Sequence, residues 1–155
     1  MIVIIIICIV LSALFSSSET AFASVNKIRL KSMADQGDKR ALKALHIAEH
    51  YEDSLTAILV GNNIVNIGAS SLATVVFTQW VGSAGPAVST VAMTILVLIF
   101  GEVLPKSYAK SHAEKMALSV ASALSAFTII MTPFVKIFDL LSRALKPKTE
   151  APSVT

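Results

Sequence analysis

Charge is what this sequence has least of. Only 15% of its 155 residues are Asp, Glu, Lys or Arg, and the 48 positions from Ser54 to Gly101 hold none. That run is far too long for one buried helix of a water-soluble protein. It suits two membrane spans and a turn, because roughly 20 apolar residues cross the hydrocarbon. Basic residues are missing from most of the chain as well: all 13 Lys and Arg lie between Lys27 and Lys43 or between Lys106 and Lys148. A net charge of +3 would fit a nucleic-acid binder, but the uncharged runs exclude that class. A single cysteine, Cys8 within an Ile/Val run, excludes an internal disulfide and packs as a small apolar side chain. No basic residue precedes the first apolar run. The small-x-small triplet Ala21-Phe22-Ala23 is separated from that run by three serines and a glutamate. Both facts argue against a cleaved signal peptide. Internal repeats are absent too.

What is present is apolar: 54% hydrophobic residues and a mean hydropathy of +0.72. One domain, covering 1–146, is expected from the length, and its class is an all-α membrane protein. The first span is predicted at about 2–23, the second at 55–80 and the third at 87–104. The densest Gly/Pro cluster, Gly82-Ser83-Ala84-Gly85-Pro86, writes the turn between the last two. Trp80 falls where an interfacial aromatic belongs.

Between the first two spans, 26–53 is charged and reads as a cytoplasmic helix or hairpin broken near Gly37. Six basic residues lie there, none in the 81–86 turn, and Lys106, Lys110 and Lys115 follow the third span. Positive-inside then places the N-terminus outside and both basic regions in the cytoplasm of a multi-pass cell-membrane protein. Residues 116–135 form a further uncharged run. A fourth crossing there would carry Lys136, Arg143, Lys146 and Lys148 outside, so 112–146 is read as a kinked pair of juxtamembrane helices, bent at Pro133. Residues 147–155 read as the start of a linker.

Two polar features interrupt the spans. Asn62 and Asn66 stand one turn apart on one helical face, and Ser12 and Ser16 share that spacing on the first span. With Glu102 they offer hydroxyl, amide and carboxylate oxygens in one inner layer of three helices. Hard cations such as Mg²⁺ take oxygen, and no soft ligand lies at that depth. The plainer reading is helix packing and interhelical hydrogen bonding for the Ser and Asn pairs. For Glu102 it is snorkelling, or pairing with Lys106 at i+4. Glu19 belongs to the cytoplasmic boundary. No enzyme is expected: His46-Ile47-Ala48-Glu49-His50 matches H-x-x-E-H without a third ligand, and Ser70 and Ser71 have no histidine at their depth.

Three motifs in order carry a resemblance. They are Ser12-Ala13-Leu14-Phe15-Ser16 with Ser18-Glu19-Thr20-Ala21, then Gly61-Asn62 with Asn66, then Phe100-Gly101-Glu102-Val103-Leu104-Pro105-Lys106. Over roughly 5–145 the chain resembles the transmembrane domain of the CorB/CorC/CNNM family. The resemblance implies a homodimer of three-span protomers in the lipid bilayer, with a juxtamembrane helical belt, implicated in Mg²⁺ export coupled to Na⁺. It implies ion ligation by Ser16, Asn62, Asn66 and Glu102, with Ser12 and backbone near Gly101. It also implies a cytoplasmic CBS-pair domain that binds ATP, before which this chain stops. A membrane anchor or scaffold for such a domain, with no transport of its own, is the alternative. The topology is testable: a Lys146→Cys variant should react with an impermeant thiol reagent only from the cytoplasmic side, and labelling from outside would overturn the three-span arrangement.

Overall fold

The computed structural model describes residues 1–146, and every regular element in them is helical. The tail 147–155, read as a linker, lies outside the described residues. Helix α1 spans Ile2–Ser24, α2 Lys27–Asp35, α3 Lys39–Glu49 and α4 Tyr51–Val81. A short 3₁₀ turn at Gly82–Ala84 leads to α5 (Gly85–Leu96), a π-helical segment (Val97–Val103), α6 (Leu104–Ser111) and α7 (Ala113–Leu145). Three stretches are long and apolar enough to cross a membrane: Ile2–Ser24, Tyr51–Ser111 and Ala113–Leu145.

The middle stretch is a hairpin. Gly82, at φ +68°, takes the left-handed conformation that a side chain resists, and Pro86 starts the return helix with φ already set. At Gly85 a Cβ would lie 2.4 Å from the Thr78 Cα, so only glycine lets the two limbs close here. One turn further in, Thr74 Oγ1 and Ser89 Oγ lie 3.2 Å apart, and Ala69 and Ala73 pack on Met93. Helix α1 lies against α4 and against the return limb. The return limb continues helically past the predicted end at 104, through Pro105, to Ser111.

The charged segment 26–53 is a helical hairpin, α2 and α3, with Gly37 at φ +94° between them. Asn26 and Asp38 cap the two helices by accepting from the Ile28 and Arg29 amides and the Arg40 and Ala41 amides, as Asn and Asp do at helix starts. Its packing face was not evident from its large apolar residues. Ile28 and Leu42 are exposed, whereas Ala41, Ala44, Ile47 and Ala48 are buried. Alanines at helical spacing let α7 and α1 approach closely, and Leu30, Ala44, Ile47 and Ala48 join Ala117, Ala121 and Leu124 in the main core.

Helix α7 departs from the sequence reading. Instead of a kinked pair, it is one 33-residue helix with Pro133 inside it. Met131 and Val135, on either side of the proline, are buried against Ala57, while Pro133 itself is exposed. Packing on both flanks holds the helix together where one backbone hydrogen bond is missing. Glu114 near its start pairs with Arg29 at 3.1 Å. Phe127 at its middle meets Phe15, ring centroids 5.0 Å apart. Near its end, Lys136 and Asp139 share a cleft with His50 and Asp53.

Gly61 lies under that aromatic pair: a Cβ there would sit 2.7 Å from the ring tips of both Phe15 and Phe127. The small residues Gly61, Ala69, Ala73, Gly101 and Ala109 are buried within the protomer, and of Gly61, Gly68 and Gly101 on these limbs Gly68 alone has nothing within 4 Å. A graded outcome follows. Gly61→Ala should cost about 1–3 kcal/mol as the two rings give way. Gly85→Ala should cost more, because the obstacle is backbone, and Gly68→Ala should stay within about 0.5 kcal/mol. Thermal unfolding of the three variants in detergent checks the order; a Gly68→Ala loss equal to that of Gly61→Ala would contradict the packing.

Candidate cation site

Where α1, α4 and the π-helical segment meet, the walls are polar. Ser12 and Ser16 are fully buried, one turn apart on α1. Ser12 Oγ donates to Asn62 Oδ1 at 2.9 Å, and Asn66 Nδ2 reaches the same oxygen at 3.4 Å. Helix spacing of four puts both asparagines on the face of α4 that meets α1. The π-helical segment then brings its backbone down on Ser12: a Cβ on Gly101 would lie 2.8 Å from Ser12 Oγ. A widened helical turn of this kind redirects side chains and is frequent at functional sites.

Two oxygens flanking the Ser12–Asn62 contact are unsatisfied. Ser16 Oγ and Asn66 Oδ1 are buried and have no hydrogen-bond partner. Leaving such a group unpaired costs about 1–3 kcal/mol, so each orphan points to a water or ion that completes it. The neighbouring serines are different. Ser17 and Ser18, also buried, donate back to the Ala13 and Leu14 carbonyls at 2.7 Å, which satisfies them on their own helix.

Glu102 is half-buried and lines an open cleft with Asn66. Its expected alternative partner is engaged elsewhere. Lys106 Nζ lies 3.4 Å from Glu19 Oε2, because α6 turns that side chain toward the end of α1. Among the described residues no cation lies within ion-pair distance of Glu102. Thus Ser12, Asn62 and the Gly101 backbone meet at one level; because α1 and α4 run antiparallel, Ser16 lies one turn from that contact toward α6 and Asn66 one turn toward the hairpin turn, where it shares a cleft with Glu102. Sequence reasoning missed Ser70, Thr90 and Thr94, which line that cleft. Their signal was the spacing of four: 62, 66, 70 and 74 on α4, and 90 and 94 on the return limb, with Glu102 eight residues further on.

In the H-x-x-E-H stretch the His46 and His50 rings are tilted by 40° with centroids 4.4 Å apart, and His50 Nδ1 lies 3.0 Å from the His46 carbonyl. Among the described residues no three His, Cys, Asp or Glu side chains are placed to hold an ion together.

A helical hairpin laid against a third apolar helix, enclosing hydroxyl and amide oxygens beside one carboxylate, defines an integral membrane domain with a polar site inside. The chain belongs to the cyclin M family: the model of the cyclin M transmembrane N-terminal domain matches residues 3–155. It is 41% identical over 92% of its length to a UPF0053 protein of Haemophilus influenzae. It is 39% identical over 87% to the UPF0053 inner membrane protein YfjD of Escherichia coli, and 29% identical over 84% to a polyamine export protein of H. influenzae. The matches cover 34%, 32% and 33% of those relatives, so the chain spans about a third of their length.

The contact between Gly101 and Ser12 is testable by a double-mutant cycle. Gly101→Ala should destabilise the domain by about 1–3 kcal/mol. The same change in a Ser12→Gly background, where the obstructing hydroxyl is gone, should cost clearly less. Equal costs in both backgrounds, measured by thermal unfolding, would mean that the two residues are not in contact.

Proposed function

We propose that the domain carries Mg²⁺ across the membrane, as an exporter coupled to Na⁺, with the ion held between α1, α4 and the π-helical segment. The observation that carries this reading is the pair of orphaned buried oxygens, Ser16 Oγ and Asn66 Oδ1. Ser16 is one turn from Ser12, and Asn66, bonded to Asn62, shares a cleft with Glu102, a carboxylate free of any ion pair among the described residues. Oxygen-only ligation suits a hard cation. One carboxylate among neutral oxygens offsets only part of a +2 charge, so the ion is held with moderate affinity, as a carrier that must release its cargo requires. The membrane family and the relative named as an export protein support transport over an inert anchor. A polyamine is the rival cargo. It spreads several ammonium charges along a chain, and this layer offers one carboxylate.

In this reading α1, α4 and the α5–α6 limb cross the membrane with the N-terminus outside, and α7 lies along the cytoplasmic face. Support comes from the ends of α7. Glu114 pairs with Arg29 at one end, and Lys136 and Asp139 meet His50 and Asp53 at the other, so both ends keep to the charged side of the fold. The protomer works as a homodimer, and in a longer chain a CBS-pair domain that binds ATP would regulate it from the cytoplasm.

Asn62→Ala and Asn66→Ala should abolish Mg²⁺ binding by titration calorimetry and Mg²⁺ flux in proteoliposomes, while leaving the unfolding temperature within a few degrees of the parent. Glu102→Gln separates two roles. Loss of binding makes the carboxylate a ligand; retained binding with slowed flux makes it an attractor or coupling group at the inner end. Spermidine that competes with Mg²⁺ at low concentration would favour the polyamine reading. Variants that bind and move Mg²⁺ like the parent would refute the site. Sedimentation of the same samples reports assembly, where a monomer in both detergent and lipid would refute the dimer.

A further inference from the structure

Helix α7 has no part in the cation site, yet it carries three distinct stripes at helical spacing. Leu124, Met131 and Val135 are buried. Ile130, Phe134, Ile137, Leu141 and Leu145 are apolar and exposed. The third stripe is polar and runs through Ser125, Thr132, Lys136 and Asp139. It lines a cleft of about 390 Å³ that lies against the junction of α3 and α4. Ile47, Ser54 and Val135, all buried, form the inner wall. His50, Asp53, Lys136 and Asp139, all exposed, stand around it. Ile129 lines the cleft and is 70% exposed, so the cleft opens beside the apolar stripe that begins at Ile130.

The cleft carries charge of both signs. Among the described residues Lys136 pairs with neither Asp53 nor Asp139. His50 begins α4 without capping it through its side chain. The amides of the first turn therefore lack a helical carbonyl and add positive character at the same place. Thr128 Oγ1 and Thr132 Oγ1 donate to the Leu124 and Thr128 carbonyls at 2.8 and 2.9 Å. Their one proton is spent, so toward a ligand they only accept.

This combination selects among ligands. A simple anion would meet two aspartates, and a polycation would meet Lys136. A ligand with a phosphate and an ammonium close together matches both signs at once. The exposed stripe beside the cleft asks for an apolar covering as well, and a phospholipid supplies one. A primary ammonium can donate charge-assisted hydrogen bonds to the aspartates, which a quaternary ammonium cannot.

We propose that the cleft between α7 and the α3–α4 junction binds the headgroup of a phospholipid bearing a primary ammonium, such as phosphatidylethanolamine, with its acyl chains along the exposed stripe of α7. The proposal rests on α7 lying along the cytoplasmic face of the membrane, and not on the identity of the cargo.

The test uses the full chain, delipidated in detergent and offered phosphatidylethanolamine, phosphatidylcholine and phosphatidylglycerol at equal concentration, with retention read by native mass spectrometry. The parent should retain phosphatidylethanolamine roughly fivefold over either competitor, the range of one partly exposed charge pair. Lys136→Ala should lower that retention by a similar factor. A double variant, Asp53→Asn with Asp139→Asn, should bind phosphatidylethanolamine no better than phosphatidylcholine. All three side chains are exposed, so the unfolding temperature should stay within a few degrees of the parent. Equal retention of the three lipids by the parent, or unchanged preference in both variants, would overturn the site. Spermidine that displaces the lipid from the parent and binds Lys136→Ala more tightly would overturn it in favour of a polycation. Lys146→Cys that is labelled from outside would remove the placement of α7 and the lipid site with it. Cytoplasmic labelling without lipid preference would sink the lipid site alone.

Discussion

A hydrogen bond between two apolar helices organises this fold: Ser12 Oγ to Asn62 Oδ1, 2.9 Å, with the Gly101 backbone closing over it. In lipid there is no water to repair a lost polar contact, and the hydrophobic effect does not press one span against another. Association therefore depends on close approach and on matched polar groups. The Ser12–Asn62 bond supplies the match between α1 and α4. Gly101 supplies the approach of the third limb, since any side chain there would collide with the serine.

The same rule makes the unmatched groups informative. Many hydroxyls of the described residues donate to a carbonyl one turn back on their own helix, as Ser17, Ser18, Thr74, Thr90, Thr94 and Thr128 do. Ser16 and the Asn66 carbonyl oxygen do neither this nor bond across the bundle. They flank the Ser12–Asn62 contact, over which the π-helical segment closes at Gly101. The surrounding packing, from the Phe15–Phe127 pair over Gly61 to the alanine seam of α3 and α7, holds that contact in place.

Much of this was legible because hydropathy and charge act along the chain. A 48-residue uncharged run has no stable place except an apolar one, and Gly82 to Pro86 has no comfortable conformation except a turn. Helical spacing alone predicted that Ser12 with Ser16, and Asn62 with Asn66, share faces. Less visible were contacts made by small residues. Ala44, Ala48 and Ala117 carry weak hydropathy signals yet form the seam between α3 and α7. Gly61 and Gly101 carry no such signal either, yet side chains from within the protomer press on both.

The sequence by itself determined the helical class, the hairpin, and which side chains would sit one turn apart, because periodicity and turn chemistry are local. It left open what each polar residue would meet. Only the tertiary structure decided that Lys106 goes to Glu19 and leaves Glu102 unpaired, that α7 stays one helix through Pro133, and that Asn66 faces a cleft continued by Thr90 and Thr94. Each of these depends on the rotation of one helix against another. That rotation is set by many small contacts summed across the bundle, and no spacing within a single segment encodes it.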